Sequence, residues 1–162
     1  MAELLLALDV KGREEANRVA LACEGELDAI KIGYPLVLST GLGIVRELAR
    51  SNIPIIADFK VADIPNTNSL ICEEVFAAGC SGIITHAFCG SDSLAAIVDG
   101  AHDHGGSAFV VCEMSHPGAL DFLSGANAEW RRWQRSQGPT GSSPPPRVLT
   151  GRLCCGRSSA VR

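Results

Sequence analysis

The chain has 162 residues, 46% of them apolar and 20% charged, which suits one globular domain with a sizeable core and excludes a mainly disordered chain. It contains no stretch of about 18 apolar residues, and its first apolar run is too short for a secretory signal, so we expect a cytoplasmic protein that does not enter a membrane. The seven cysteines show no C-x-x-C pairing, which favours reduced thiols over disulfides or zinc ligation.

The charges are divided abruptly along the chain. All eighteen acidic residues lie at or before Glu129, together with seven Lys or Arg, so this part carries a net charge of −11. From Trp130 onward there are seven Arg, no acid and a run of three prolines. We therefore predict a folded domain over residues 1–129 and an irregular basic tail, rich in Arg, Pro, Ser and Gly, over residues 130–162.

In the first 129 residues, a short apolar run, a polar junction and a segment of helical periodicity recur five times. The predicted strands are Glu3–Val10, Asp28–Tyr34, Pro54–Val61, Gly82–Phe88 and Ser107–Met114. The predicted helices lie at about Arg13–Glu24, Pro35–Arg50, Thr67–Ala78, Asp92–His104 and Pro117–Ala126. Strands this apolar are buried on both faces, so we predict an α/β fold of the (β/α)8 TIM-barrel type with only its first five βα units present. A doubly wound open sheet is the alternative, but no G-x-G-x-x-G follows the first strand.

Polar residues gather where the predicted strands end, namely Asp9, Lys31, Asp58, Lys60, His86 and Ser115. Active sites of βα barrels are built at this end of the strands. One strand-end Asp is often only the N-cap of the next helix, but five successive strands with such residues favour a site. Asp58 and Lys60 are two residues apart and so share one strand face. A buried ion pair adds little stability, because desolvation offsets the attraction, so function explains this pair better.

Four segments carry a specific pattern: Leu6-Ala7-Leu8-Asp9, Ile30-Lys31-Ile32-Gly33-Tyr34-Pro35-Leu36, Asp58-Phe59-Lys60-Val61-Ala62-Asp63-Ile64-Pro65-Asn66-Thr67, and Glu113-Met114-Ser115-His116-Pro117-Gly118. Together they resemble the orotidine 5′-monophosphate decarboxylases of the microbial and archaeal type. The resemblance runs from about residue 3 to residue 126, and the D-x-K-x-x-D-I-P-x-T pattern is highly specific within this fold. It implies conversion of orotidine monophosphate to UMP and carbon dioxide, a step of pyrimidine biosynthesis, with no cofactor and no metal.

The resemblance also implies a role for each matched residue. Lys60 would donate the proton to the carbon that loses its carboxylate, within a charged network formed with Lys31, Asp58 and Asp63. Asp9 and Lys31 would hold ribose hydroxyls, and Ser115 would hold the pyrimidine. Asp63, Ile64 and Thr67 would reach the site of a neighbouring subunit, so a homodimer is implied. The sequence leaves open whether His86 is functional or a satisfied structural histidine.

Other polar groups are weaker candidates. His102 and His104 are two residues apart and do not share a helix face, so we interpret them as a solvated helix end rather than a metal site. The adjacent carboxylates of Glu73 and Glu74 are best explained as helix surface. Aromatic side chains are too sparse to form a stacking platform for nucleic acid, and we do not expect nucleic acid as a partner.

The tail departs from the family pattern. Arg147 and Arg157 follow no predicted strand, so the family's phosphate-binding arginine has no counterpart. Regrouping GC-rich codons for residues 130–152 one nucleotide earlier permits MAAVAEVAGADGVVAPATRPDR, the pattern of a sixth βα unit. We therefore predict a frameshift near residue 129, and little or no activity from this polypeptide alone. The alternatives are a sugar-phosphate decarboxylase or aldolase of the same superfamily, or a non-catalytic fragment whose basic tail binds nucleic acid.

Overall fold

Five β-strands alternate with helices in the computed structural model, which describes residues 4–112, 114, 116–119 and 121. The strands are β1 Leu5–Leu8, β2 Ala29–Gly33, β3 Ile55–Val61, β4 Gly82–His86 and β5 Ser107–Val111. The helices are α1 Arg13–Ala22, α2 Tyr34–Thr40, α3 Ile44–Leu48, α4 Pro65–Ala77 and α5 Ser91–Asp103. Single 3-10 turns occupy Ala49–Ser51, Ala87–Cys89 and Pro117–Ala119. No helix among the described residues is long and apolar enough to cross a membrane.

All four strand pairings are parallel, in the order β1-β2-β3-β4-β5. A parallel neighbour requires a crossover, and helices supply each crossover here. The predicted α/β architecture, with five units of a βα-barrel type, is therefore confirmed. Because every strand runs in the same direction, the carboxyl ends of all five lie at one edge of the sheet.

The sheet separates two groups of buried side chains. The larger core lies on the helix side and combines strand residues such as Ile30, Ile32 and Ile83 with helix residues such as Ile44 and Ile97. The smaller group lies on the opposite face and is formed by Ile56, Ile84, Phe109 and Val111. Strand residues thus pack on both faces, as the nearly continuous apolar runs predict.

The structure corrects one of the predicted helices and leaves another untested. The segment predicted as one helix over Pro35–Arg50 is two short helices, α2 and α3, because Gly41 takes a φ of 73° that continues no right-handed helix. The helix predicted over Pro117–Ala126 lies mostly outside the described residues, which show only the turn Pro117–Ala119 and a helical Asp121. The predicted basic tail and the frameshift also lie outside them.

Candidate active site

The charged side chains predicted to form a site meet at the carboxyl edge of the first three strands. Asp9 directly follows β1, Lys31 lies in β2, and Asp58 and Lys60 lie in β3. The register places Lys31 opposite Ile56 and Gly33 opposite Asp58, so that the charged positions of β2 and β3 lie near each other. An added Cβ at Gly33 would stand 3.2 Å from Asp9 Oδ1, so glycine leaves room here for the Asp9 carboxylate.

Asp58 is the centre of a chain of ion pairs. Lys31 Nζ donates to Asp58 Oδ2 at 2.6 Å, and Lys60 Nζ donates to Asp58 Oδ1 at 2.7 Å. Asp9 Oδ1 lies 3.9 Å from Lys31 Nζ and adds a third, more exposed ion pair to this series. Each oxygen of the central carboxylate therefore holds one ammonium group. Such charge-assisted bonds are short and strongly oriented, so the ammonium groups are in place before a ligand arrives.

Burial separates the roles of the two lysines. The Lys31 side chain is 6% exposed and the Asp58 side chain 4%, whereas the Lys60 side chain is 27% exposed. Burial alone would raise the pKa of Asp58, but the hydrogen bonds and charges of Lys31 and Lys60 outweigh it and hold the pKa below its usual value. Asp58 is therefore ionised at neutral pH. Lys60 is thus the more accessible of the two lysines, and Lys31 binds the same carboxylate from a more buried position.

The backbone of β3 is irregular where it carries Lys60. Ala57 pairs with Ile83 and Val61 with Thr85, so four residue steps on β3 oppose two on β4. Lys60 lies inside this bulge with a φ of 46°, in the left-handed region, which costs a non-glycine residue about 1–2 kcal/mol. Buried Thr85 Oγ1 donates to the Val61 carbonyl at 2.8 Å and ties down the far end of the bulge. Strain of this kind is typical of functional sites.

His86 ends β4 beside this cluster. It is 8% exposed, its ring lies 4.8 Å from that of Phe88, and its buried Nδ1 has no hydrogen-bond partner among the described residues. Burial lowers the pKa of His86, the charge of Lys60 lowers it further, and Asp58 partly opposes this. The imidazole is therefore neutral at neutral pH. Its Nδ1 is thus not satisfied by any described residue, and the role of His86 stays open between the two alternatives that the sequence left.

Asp63, Ile64 and Thr67 lie apart from this ion-pair chain. Asp63 is exposed, and its Oδ1 accepts a hydrogen bond from the backbone N–H of Ile64 at 2.7 Å. Within the part of the chain that the structure describes, Asp63 forms no ion pair with Lys60. The Ile64 side chain is 64% exposed, and Thr67 lies half-buried in the first turns of α4. Ser115, predicted to hold the pyrimidine, lies outside the described residues.

Two buried polar residues near the site escaped the sequence analysis. Asn68 in α4 is 0% exposed and Ser93 in α5 is 3% exposed, and they bond to each other. The available signal was periodicity, because Asn68 shares the buried stripe of α4 with Cys72 and Val75. A polar residue on the core-facing side of a helix is expected to have a hydrogen-bond partner in the core.

The arrangement is suited to chemistry that develops negative charge. In the described ranges, no three His, Cys, Asp or Glu side chains are grouped so as to hold a metal ion. The two weaker candidates are surface features: Glu73 and Glu74 are exposed on α4, and exposed His104 stacks on Phe76 with ring centroids 5.4 Å apart. A preorganised ammonium at Lys60 can stabilise negative charge that develops on a ligand atom and then deliver a proton to it.

Comparison with known proteins is consistent with this chemistry. The family model described as "Orotidine 5′-phosphate decarboxylase / HUMPS family" matches residues 2–139. A protein of Methanosarcina barkeri named orotidine 5′-phosphate decarboxylase is 49% identical over 162 residues, which cover 98% of this chain and 73% of that protein. A protein of the same name from Methanosarcina mazei is 58% identical over 123 residues, which cover 76% of this chain and 56% of that protein.

A similar fold is found among solved structures. The orotidine 5′-monophosphate decarboxylase of Methanocaldococcus jannaschii, crystallised with the inhibitor BMP, matches with a TM-score of 0.79 and 43% identity. The match covers 85% of this chain and 64% of that chain. The chain therefore spans about half to three quarters of the length of the relatives it matches.

Proposed function

The chain belongs to the orotidine 5′-phosphate decarboxylase / HUMPS family, and we propose that its charged cluster serves the cofactor-free decarboxylation of orotidine 5′-monophosphate to UMP. The observation that carries the proposal is the Asp58 carboxylate bonded to two ammonium groups, at 2.6 Å from Lys31 and 2.7 Å from Lys60. Such a cluster, largely withdrawn from water at the carboxyl edge of β2 and β3, contributes little to stability and is well suited to a reaction that develops negative charge.

The proposed reaction needs few groups. The bond between the pyrimidine ring and its carboxylate breaks, carbon dioxide leaves, and the electron pair remains on the ring carbon. The Lys60 ammonium stabilises this carbanion and then gives it a proton, because Lys60 is the more exposed of the two lysines. Asp58 and Lys31 act by holding Lys60, and Asp58 faces the departing carboxylate.

The remaining roles are proposed from the family resemblance and from exposure. Asp9, with a side chain 41% exposed beside Lys31, would bind ribose hydroxyls. Asp63, Ile64 and Thr67 would complete the site of a second copy in a homodimer, which agrees with the outward position of Ile64. Ser115 would bind the pyrimidine. We also propose a cytoplasmic location, as expected for an enzyme of nucleotide synthesis.

The test is decarboxylation of orotidine monophosphate by the purified chain, measured as the decrease in absorbance of the substrate. Lys60→Ala should lower turnover by roughly 10²–10⁴-fold, the usual effect of losing a general acid. Arg46→Ala is the matched control, because Arg46 is an exposed cation on helix α3. Full turnover by Lys60→Ala would contradict the proposed role. Absence of turnover in a folded wild-type chain would agree with the low activity predicted for this polypeptide alone. Turnover of a sugar phosphate instead would support the related decarboxylases and aldolases.

The boundary near residue 129 stays a proposal. The change in charge and composition supports a tail of different origin over residues 130–162, whereas the family match continues to residue 139. The nucleotide sequence of the gene is the direct test. A sixth βα pattern in the alternative frame would support a frameshift, and stop codons there would contradict it. Salt-dependent binding to arbitrary DNA would instead favour a nucleic-acid-binding arm.

A further inference from the structure

Two buried side chains, Asn68 and Ser93, form hydrogen bonds to the connection between β3 and α4. The proposed mechanism does not use either of them. The Asp63 carbonyl accepts a hydrogen bond from Asn68 Nδ2 at 3.1 Å and another from Ser93 Oγ at 2.6 Å. Asn68 Nδ2 also lies 2.8 Å from Ser93 Oγ and 3.0 Å from the Ser93 carbonyl. The backbone of Asp63 is thereby tied to α5, an element thirty residues further along the chain.

Helix capping does not explain Asn68. A capping side chain accepts hydrogen bonds from the free N–H groups of the first helical turn. Asn68 is the fourth residue of α4 and uses its amide nitrogen as a donor to carbonyl and hydroxyl oxygens. Its side chain therefore binds the segment that precedes the helix and the neighbouring helix, rather than the N–H groups of its own helix.

Helix packing does not explain it either. Asn68 is completely buried, and its Oδ1 has no hydrogen-bond partner among the described residues. Leaving a buried acceptor unpaired is unfavourable, and an apolar side chain of similar size would fill the α4–α5 contact without that loss. The position therefore favours a side chain that can donate two hydrogen bonds. On the side of the proposed site, the acceptor of these bonds is the Asp63 carbonyl.

We propose that Asn68 and Ser93 are positioning residues that hold residues 62–64 in one conformation, so that the Asp63 carboxylate and the Ile64 side chain are presented in a fixed direction. The carboxylate is oriented further by the Ile64 N–H, 2.7 Å from Asp63 Oδ1. This inference rests on the proposed function, because Asp63 and Ile64 are the residues proposed to complete a neighbouring site. Asn68 and Ser93 touch no reacting atom and act through Asp63.

The first test is hydrogen exchange of the Ile64 amide in the full chain. Asn68→Ala and Ser93→Ala should each accelerate its exchange by about tenfold, the effect of losing a hydrogen bond that restrains the segment. Asn66→Ala and Ser91→Ala are the controls, because these exposed residues lie in the first turns of the same two helices. If Asn68→Ala does not fold, Ser93→Ala alone decides, since it removes only one hydroxyl. Unchanged exchange in the folded variants overturns the proposal.

The second test is a double-mutant cycle with Asp63→Asn, read out as turnover of orotidine monophosphate. Ser93→Ala should lower turnover by about tenfold in the wild-type background and have little further effect beside Asp63→Asn, because the pair acts through Asp63. Equal losses in both backgrounds would show a merely structural role and overturn positioning. A folded wild-type chain with no turnover would agree with the low activity predicted for this polypeptide alone, and the exchange experiment would then decide whether Asn68 and Ser93 restrain the segment.

Discussion

Lys60 combines a charged side chain at the site with an unusual backbone conformation. Its ammonium group is held by Asp58, and its backbone occupies the left-handed region at a φ of 46°. A lysine gains nothing from that conformation, which glycine adopts without penalty. The surrounding strands must therefore impose it, and the strain of about 1–2 kcal/mol is tolerated because it directs the side chain toward the site.

This strain predicts an inverted order of stability at residue 60. Lys60→Gly and Lys60→Ala both remove the ammonium group, so the difference between them reports the backbone. We expect the glycine variant to have the higher free energy of unfolding, by about 1 kcal/mol in denaturant titrations. At Arg46, in helix α3, the same two substitutions should follow the ordinary order, with alanine more stable by about 1 kcal/mol. An alanine variant at residue 60 as stable as the glycine variant would show that the backbone there is unstrained.

At the scale of elements, the bulge in β3 is held by its neighbour β4. Regular pairing ends at Ala57 and resumes at Val61, and the carbonyl of Val61 accepts the hydroxyl of Thr85 at 2.8 Å. This bond lies in the core, where an unpaired carbonyl is unfavourable. Thr85 thus fixes the end of the irregular segment that contains Lys60, although it does not contact the charged cluster through any described hydrogen bond.

Removing that hydroxyl should loosen the bulge. Thr85→Val preserves the shape but leaves the Val61 carbonyl without this donor, so we expect a loss of about 2 kcal/mol in the free energy of unfolding. Turnover should also fall, because Lys60 is held less firmly. Thr85→Ser is the matched control: it keeps the hydroxyl and should retain more turnover than the valine variant despite its lost methyl group. Equal turnover in the two variants would mean that the bulge does not depend on this bond.

At the scale of the whole molecule, the described strands form a sheet in which β1 and β5 each pair with one neighbour. The charged cluster lies at the carboxyl edge of β1 to β3, while Asp63 and Ile64 are exposed and take no part in its ion pairs among the described residues. A second copy that received Asp63 and Ile64 would explain both their exposure and the hydrogen bonds from Asn68 and Ser93 to the Asp63 carbonyl.

Substituting the exposed isoleucine therefore tests the proposed homodimer. Ile64→Glu should shift the chain to a monomer in sedimentation equilibrium and lower its turnover, because a buried unpaired carboxylate disfavours association. Leu21→Glu is the matched control, because Leu21 is also a large apolar residue with a similar exposure. Leu21 is 68% exposed on α1, and Ile64 is 64% exposed on the connection between β3 and α4. Loss of self-association in the Leu21 variant but not in the Ile64 variant would place the interface elsewhere.

Much of this protein follows from local sequence patterns. Apolar runs that alternate with segments of helical period predict parallel strands with covering helices, because burial on two faces requires apolar residues at successive positions. Parallel strands bring their carboxyl ends to one edge, so Asp9, Lys31 and Asp58 could be assigned to one site before any contact was known. The two-residue spacing of Asp58 and Lys60 likewise predicted that their side chains meet.

Only the tertiary structure decided how those groups are arranged. The left-handed backbone of Lys60 depends on pairing with β4, and no property of lysine predicts it. The break between α2 and α3 depends on the conformation taken by Gly41. The bond from Ser93 Oγ to the Asp63 carbonyl requires α5 to pack against α4. The bulge and the Ser93 bond arise from contacts between residues far apart in the chain, whereas periodicity and spacing report only which face of its own element a residue occupies.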